Sequence, residues 1–232
     1  MHVDVRVITD KHEDALTVPE RATFRRNGAW HVFTVVDDTA TLTPVTVRRL
    51  ANAAAAAEIR FVEAPVVGSR PQAEAGALFY LLGGEAESIN AAMPTIEINA
   101  GNSTRVGDPG DAALMKLAIN GLFATQVAAY AEIAGFIGRS KLDPDAALAT
   151  LAALPITSPG LQRILGLIQD RNFEPNFPVH LVAKDLAYLA ETSTTLGVDV
   201  PIMEAARAVF ENGVNDGLAE LDIAGIARRY QP

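Results

Sequence analysis

Hydrophobic and polar positions change their rhythm twice along this chain. Up to about residue 40 the apolar residues come in short β-branched and aromatic runs. WHVFTVV, Trp30 to Val36, predicts a strand, and Asn27-Gly28 before it suits a tight hairpin turn because both residues tolerate positive φ. ALTVPE and ATLTPVTV read as neighbouring strands of a β-meander. From about 43 to 107 the pattern is mixed. PVTVRRLANAAAAAE suits a helix, with Pro44 in its first turn and alanine, the best helix former, behind it. IRFVEAPVVG reads as a short strand ending at Gly68, ALFYLLGG as another, EAESINAAMPTI as a helix interrupted by Pro94, and NSTRVG as a short strand. Strands alternating with helices predict the end of an α/β sheet.

From 108 onward the pattern is helical. A helix over about 111–137 is apolar or small on nearly every face, which predicts a helix surrounded by others. Four shorter helices follow. Asp143-Pro144 and Ser158-Pro159 each put a cap before a first-turn proline, Gly197 ends the helix in PVHLVAKDLAYLAETSTTL, Pro201 opens the next, and DIAGIARRY closes the chain.

Composition narrows the chemistry. The 232 residues include no cysteine, so disulfides and thiolate chemistry are excluded. The net charge of −9 is the wrong sign for a non-specific nucleic-acid binder. The start, MHVDVRVITD, has no basic and apolar leader pattern, so no secretory signal is expected. Residues 112–131 form the one span long enough for a membrane, but it contains Lys116, Asn120 and Gln126 and lacks flanking basic anchors. It reads as a core helix, and the chain as soluble and cytoplasmic, with no nucleic-acid or membrane partner. There is no G-x-G-x-x-G, no P-loop and no G-x-S-x-G, and the histidines at 2, 12, 31 and 180 have no zinc-ligand spacing.

The lysines carry the sharpest signal. They occur only at 11, 116, 141 and 184, against fifteen arginines, and two of the four lie inside apolar helices. Lys116 has no acidic residue three or four positions away and sits near a helix N-terminus, where the macrodipole disfavours a cation. Two explanations stand open: a stem that packs while the ammonium reaches water, or a general acid/base whose burial lowers its proton affinity toward neutrality. Asn120, one turn on, shares the face of Lys116 and could hydrogen-bond the same ligand.

From about Thr41 the chain resembles the β-hydroxyacid dehydrogenases, which include hydroxyisobutyrate dehydrogenase and the succinic semialdehyde/glyoxylate reductases. Three segments carry the resemblance. FVEAPVVGSRPQAEAGALFYLLGG resembles the substrate segment D-A-P-V-S-G-G followed by A-x-x-G-x-L. VGDPGDAALMKLAINGL resembles the catalytic G-x-G-x-x-x-K-x-x-x-N segment, and HLVAKDLAYLAE the downstream K-D-L segment. The resemblance implies Lys116 as the catalytic acid/base and Asn120 as the residue that orients substrate. It implies a turn at Val67, Gly68 and Ser69 that binds the substrate carboxylate through backbone N–H groups. Lys184 and Asp185 would lie at the nicotinamide end of the cleft, with NAD or NADP as cofactor. A small β-hydroxyacid or semialdehyde would be the substrate, and a homodimer the assembly. Where the family motif has serine this chain has Val67, so a hydroxyl contact is lost or passes to Ser69.

The front departs from that pattern. The glycine-rich dinucleotide turn is not in the sequence, and weak dinucleotide binding by this chain alone is expected. DALTVPERATFRRNGAWHVFTVVDDTATLTPVTV instead resembles the β-rich region of periplasmic efflux adaptor (membrane fusion) proteins. The organisation expected is therefore an adaptor-like β-hairpin segment over 1–42, the C-terminal remnant of a Rossmann NAD(P)-binding domain over 43–107, and a helical dimerisation and catalytic domain over 108–232. As a fold class this is α+β, mainly α: an all-helical C-terminal domain around one long buried helix, preceded by the last strands of a truncated Rossmann-type sheet. The expected activity is NAD(P)-dependent interconversion of a β-hydroxyacid and its semialdehyde or keto acid. The rival is a non-catalytic dimeric scaffold or a chimaeric gene product.

Overall fold

The computed structural model describes residues 23–26, 29–32 and 43–230, in two units, 1–41 and 42–232. In the first unit, β1 (Thr23–Arg26) pairs antiparallel with β2 (Ala29–Val32), Thr23 opposite Val32 and Arg26 opposite Ala29. The expected turn at Asn27-Gly28, the ALTVPE strand and the continuation of β2 through Val36 lie outside the described residues.

The second unit opens with α1 (Pro44–Ala56). The Thr43 hydroxyl accepts from the Thr46 N–H at 3.2 Å, and Pro44 occupies the first turn, where its missing N–H costs nothing. The strand expected over ATLTPVTV is replaced by helix from Pro44 on, where capping and the alanine run outweigh the β-branched residues at 45–47; its first three residues lie outside the described ones.

A three-stranded sheet follows, in the order β3-β4-β5. β3 (Val66–Val67) lies antiparallel to β4 (Leu78–Gly83), which runs parallel to β5 (Ala100–Gly107). α2 (Arg70–Glu74) links β3 to β4, and α3 (Ala86–Ile96) makes the crossover that a parallel pair requires. Two expectations need correction. The strand read over IRFVEAPVVG contracts to two residues, because Pro65 has no N–H for the ladder; upstream of it only an isolated bridge joins Glu63 to Gly83. α3 is not interrupted at Pro94 but runs on to Ile96, since a proline in the last turn disturbs little helix beyond it. Leu78, Tyr80, Leu82, Ile89 and Ile96 form the core between strand and helix.

The remainder is helical: α4 (Asp111–Gly138), α5 (Pro144–Ala153), α6 (Pro159–Gln169), α7 (Val179–Leu196) and α8 (Pro201–Gly213), then a π-helical segment, Val214–Leu218, and a 3-10 helix, Ile223–Arg229. The expected punctuation is in place. Asp143 accepts from the Ala146 N–H, Ser158 from the Leu161 N–H, and Gly197 takes φ +69° at the end of α7. Small residues on α4 let its neighbours approach closely. A Cβ on Gly121 would lie 2.3 Å from Leu189 Cδ1 of α7, and one on Gly135 would lie 2.4 Å from Tyr230 Cβ.

α4 meets the length and composition of a membrane span, yet Ala124, Val127, Ala131 and Ile137 are buried against Leu161, Leu165, Val182 and Phe210. It is not enclosed on every face, as its uniform apolarity predicts. Met115, Leu122, Ile133 and Phe136 form an exposed stripe, Phe136 at 71% exposure. Phe210 of α8 is fully buried in the helical core. Phe210→Ala is expected to cost about 3–5 kcal/mol by cavity formation, read as a lower midpoint in guanidinium unfolding at an unchanged slope.

Candidate active site

Lys116 stands on α4 one turn after the helix begins, and Asn120 follows one turn later. The close approach of α4 and α7 at Gly121 and Leu189 brings Lys184 and Asp185 to the same place. Asp185 is the centre of the cluster and is buried, 7% exposed. Its Oδ2 accepts a 2.7 Å hydrogen bond from Asn120 Nδ2, and its Oδ1 lies 3.6 Å from Lys184 Nζ. The acid that Lys116 lacks along its own helix thus comes from a different helix.

Lys116 is only partly accessible to water. Burial lowers its proton affinity below that of ordinary lysine, and the negative charge of Asp185 opposes this without cancelling it. The neutral amine is therefore favoured more than in a solvent-exposed lysine, while Asp185 keeps the ammonium within reach. Such a group can both take and return a proton.

The turn expected to hold the carboxylate lies on the sheet. Val67 pairs with Phe79 in β3, and Gly68 has φ +126°, a conformation suited to glycine. Ser69 caps α2: its backbone N–H and its hydroxyl both donate to Gln72 Oε1, at 2.9 and 3.0 Å. The structure thus draws Lys116, Asn120, Lys184 and Asp185 into one cluster across α4 and α7, and ties Ser69 of the turn to Gln72.

One buried carboxylate next to the cluster's helix was missed by sequence reasoning. Glu63 is 6% exposed, and its carboxylate accepts the N–H groups of Gly110 at 2.7 Å, Ala112 at 3.3 Å and Ala113 at 2.6 Å. Burial pushes this carboxyl above the ordinary range, the three N–H bonds pull it back down, and Asp111 adds to the rise. The signal available was a lone carboxylate inside the apolar run FVEAPVV. A helix N-terminus is a ready anion site; at α4 the chain fills it with its own carboxylate. The lysine and amide of the cluster fit the reacting end of a nicotinamide cofactor, whereas the amides at the start of α4 are already taken by Glu63 and do not fit its phosphates. Among the described residues no group of carboxylates and histidines could hold a metal ion.

The mixed sheet end followed by a helical bundle is a fold shared with solved structures. A 3-hydroxyisobutyrate dehydrogenase from Salmonella typhimurium has this fold, with a TM-score of 0.76 at 22% identity over 82% of this chain and 67% of that one. Residues 110–230 match the family described as NAD-binding of NADP-dependent 3-hydroxyisobutyrate dehydrogenase, and the chain belongs to it. Residues 26–107 match the NAD binding domain of 6-phosphogluconate dehydrogenase, a match that begins inside the segment read as adaptor-like. NAD(P) is the cofactor of the family. The chain is 28% identical to glyoxylate/succinic semialdehyde reductase 1 of Arabidopsis thaliana over 72% of its own length, spanning 58% of that protein. It is 29% identical to a 3-hydroxyisobutyrate dehydrogenase of Pseudomonas aeruginosa over 84% of its length, spanning 68% of that one.

The lysine's environment makes a stability prediction with a definite sign. A lysine whose folded proton affinity is lowered holds its proton less tightly in the folded chain than in the unfolded one, so its cost is present at neutral pH and fades as pH rises toward the free-lysine value near ~10.4. Lys116→Met is therefore expected to raise the melting temperature at pH 7 by roughly 2–4 °C, about 1 kcal/mol, and the gain to shrink above pH 9. Differential scanning calorimetry across that range checks it; a pH-independent gain contradicts the burial argument.

Proposed function

We propose that this chain carries the substrate site of an NAD(P)-dependent enzyme that interconverts a small β-hydroxyacid and its semialdehyde or keto acid. The observation that carries this reading is the desolvated Lys116 placed beside the Asn120–Asp185 hydrogen bond. In the oxidative direction neutral Lys116 Nζ takes the proton of the substrate hydroxyl as the carbinol carbon gives up a hydride; in the reductive direction protonated Nζ returns it to the carbonyl oxygen. Bound NAD(P) supplies the hydride acceptor or donor. Asp185 fixes the Asn120 amide by accepting one of its N–H groups, and the second N–H of that amide serves to orient a substrate oxygen. Asp185 also pairs with Lys184 at 3.6 Å, which brings that side chain to the same cluster. The turn at Val67, Gly68 and Ser69 serves the substrate carboxylate from the sheet side, with Gly68 allowing close approach and the Ser69 N–H and hydroxyl exchanging Gln72 Oε1 for the carboxylate on binding.

The experiment is turnover of glyoxylate and succinic semialdehyde with NADPH or NADH, comparing the wild type with Lys116→Ala. A loss of roughly 10²–10⁴-fold in kcat is expected for a general acid/base. Equal rates in the two proteins remove Lys116 from the mechanism.

A second reading concerns assembly, and the exposed stripe on α4 favours it. Met115, Leu122, Ile133 and Phe136 recur at helical spacing on a surface that water wets poorly. We infer that two copies pair through this face. Light scattering is expected to give twice the 24.6 kDa chain mass, and Phe136→Asp a single chain. A monomeric wild type overturns this assembly.

A further inference from the structure

Every amide at the start of α4 is accounted for, and three of them by one residue. Gly110 is the N-cap with φ +100° and has no side chain with which to cap. The Asp111 N–H goes to the Asp108 carbonyl at 3.0 Å, and the Gly110, Ala112 and Ala113 N–H groups go to Glu63. Without Glu63 those three donors would be buried and unsatisfied, which no helix end tolerates cheaply. A carboxylate at this position also complements the helix dipole.

Glu63 is itself held with no slack. Its N–H and carbonyl exchange two 2.9 Å hydrogen bonds with Gly83 of β4. Gly83 must be glycine, since a Cβ there would lie 2.5 Å from Glu63 Oε2. Between Glu63 and Gly68 the chain is pinned again, by the Leu81 N–H to the Pro65 carbonyl at 2.9 Å and by the pairing of Val66 with Tyr80. On the other side, Ala113 is one helical turn from Lys116.

We propose that Glu63 is a positioning residue: its buried carboxylate locks the start of α4 to the strand that leads into the Gly68 turn, and so sets the spacing between that turn and Lys116. The functional consequence rests on reading the turn and Lys116 as two parts of one substrate site; the mechanical claim does not. The surrounding charges leave Glu63 this task alone. Arg48 of α1 pairs with Asp111 at 3.7 Å, and Arg105 of β5 with Asp108 at 3.3 Å. Glutamine cannot take over, because its NH2 group would face an N–H donor. The sequence motif that this segment resembles has aspartate here, which keeps the charge on an arm one methylene shorter.

The chain has no cysteine, so a distance can be measured directly. Spin labels at Ala73→Cys beside the turn and Ala118→Cys on α4, both exposed in the structure, report the spacing by double electron–electron resonance. A narrow distance distribution is expected with Glu63 present, and one at least twofold wider in Glu63→Gln. If Glu63→Gln does not fold, Glu63→Asp decides: its shorter arm cannot reach all three amides, and an intermediate width is expected. A lowered Tm with an unchanged distribution in the folded variant makes Glu63 a stabilising cap only and overturns the proposal. With glyoxylate and NADPH, the widened spacing is expected to raise KM and lower kcat together by at least tenfold. A wild type with no turnover removes the reading of the substrate site and leaves the distance measurement to decide the role of Glu63.

Discussion

Helix α4 begins at a glycine that cannot cap it, and its first buried amides are satisfied by a carboxylate from a segment 47 residues earlier. The rest of the second unit is organised by that junction. α4 is the helix against which α7, α8 and the closing 3-10 segment are packed, and its first turn is where the sheet meets the bundle. A buried helix end with three open donors is unstable in isolation, so sheet and helix are bound by mutual need: the donors need an acceptor, and the carboxylate needs donors to be buried at all. Gly83 and Gly110 are what allow the two to meet, one by leaving room for the carboxylate and the other by turning the chain into the helix.

The same economy governs the lysine cluster. Asp185 is buried because Asn120 and Lys184 satisfy its two oxygens, and Lys116 is tolerated beside them because Asp185 offsets part of its desolvation. Remove the α4–α7 contact and each group reverts to an ordinary solvated side chain. The close approach of the two helices at Gly121 and Leu189 is therefore as much a part of the site as the groups that titrate. Proton affinity at Lys116 is a property of helix packing rather than of local sequence.

Much of the fold was legible in the residues. Caps and prolines marked the starts of α1, α5, α6 and α8 and the end of α7, because capping is a local interaction complete within a few residues. The errors were equally physical. Pro65 silently shortens a strand that its apolar neighbours advertise, and the β-branched residues at 45–47 belong to a helix because Thr43 caps it. The short α2 gave no signal at all: five residues carry no periodicity to read. Lys116 and Asn120 stood out as misplaced polar groups in an apolar helix. Glu63 did not, although it is the same kind of anomaly, because a single carboxylate in a strand-like run is usually read as a solvent-facing residue.

By itself, then, the sequence determined most of the helices, several of their ends, the identity of the lysine that needs explaining and, through three ordered motifs, the family. Each of these depends on neighbours within a few positions or on residue identity alone. Only the tertiary structure decided which acid serves Lys116, which carboxylate caps α4 and which face of α4 is left exposed. Asp185 lies 65 residues from Asn120 and Glu63 lies 50 from Ala113, and no local rule reaches so far. A helix that is apolar all round carries no mark of its outward face. That choice is made by whatever packs against it.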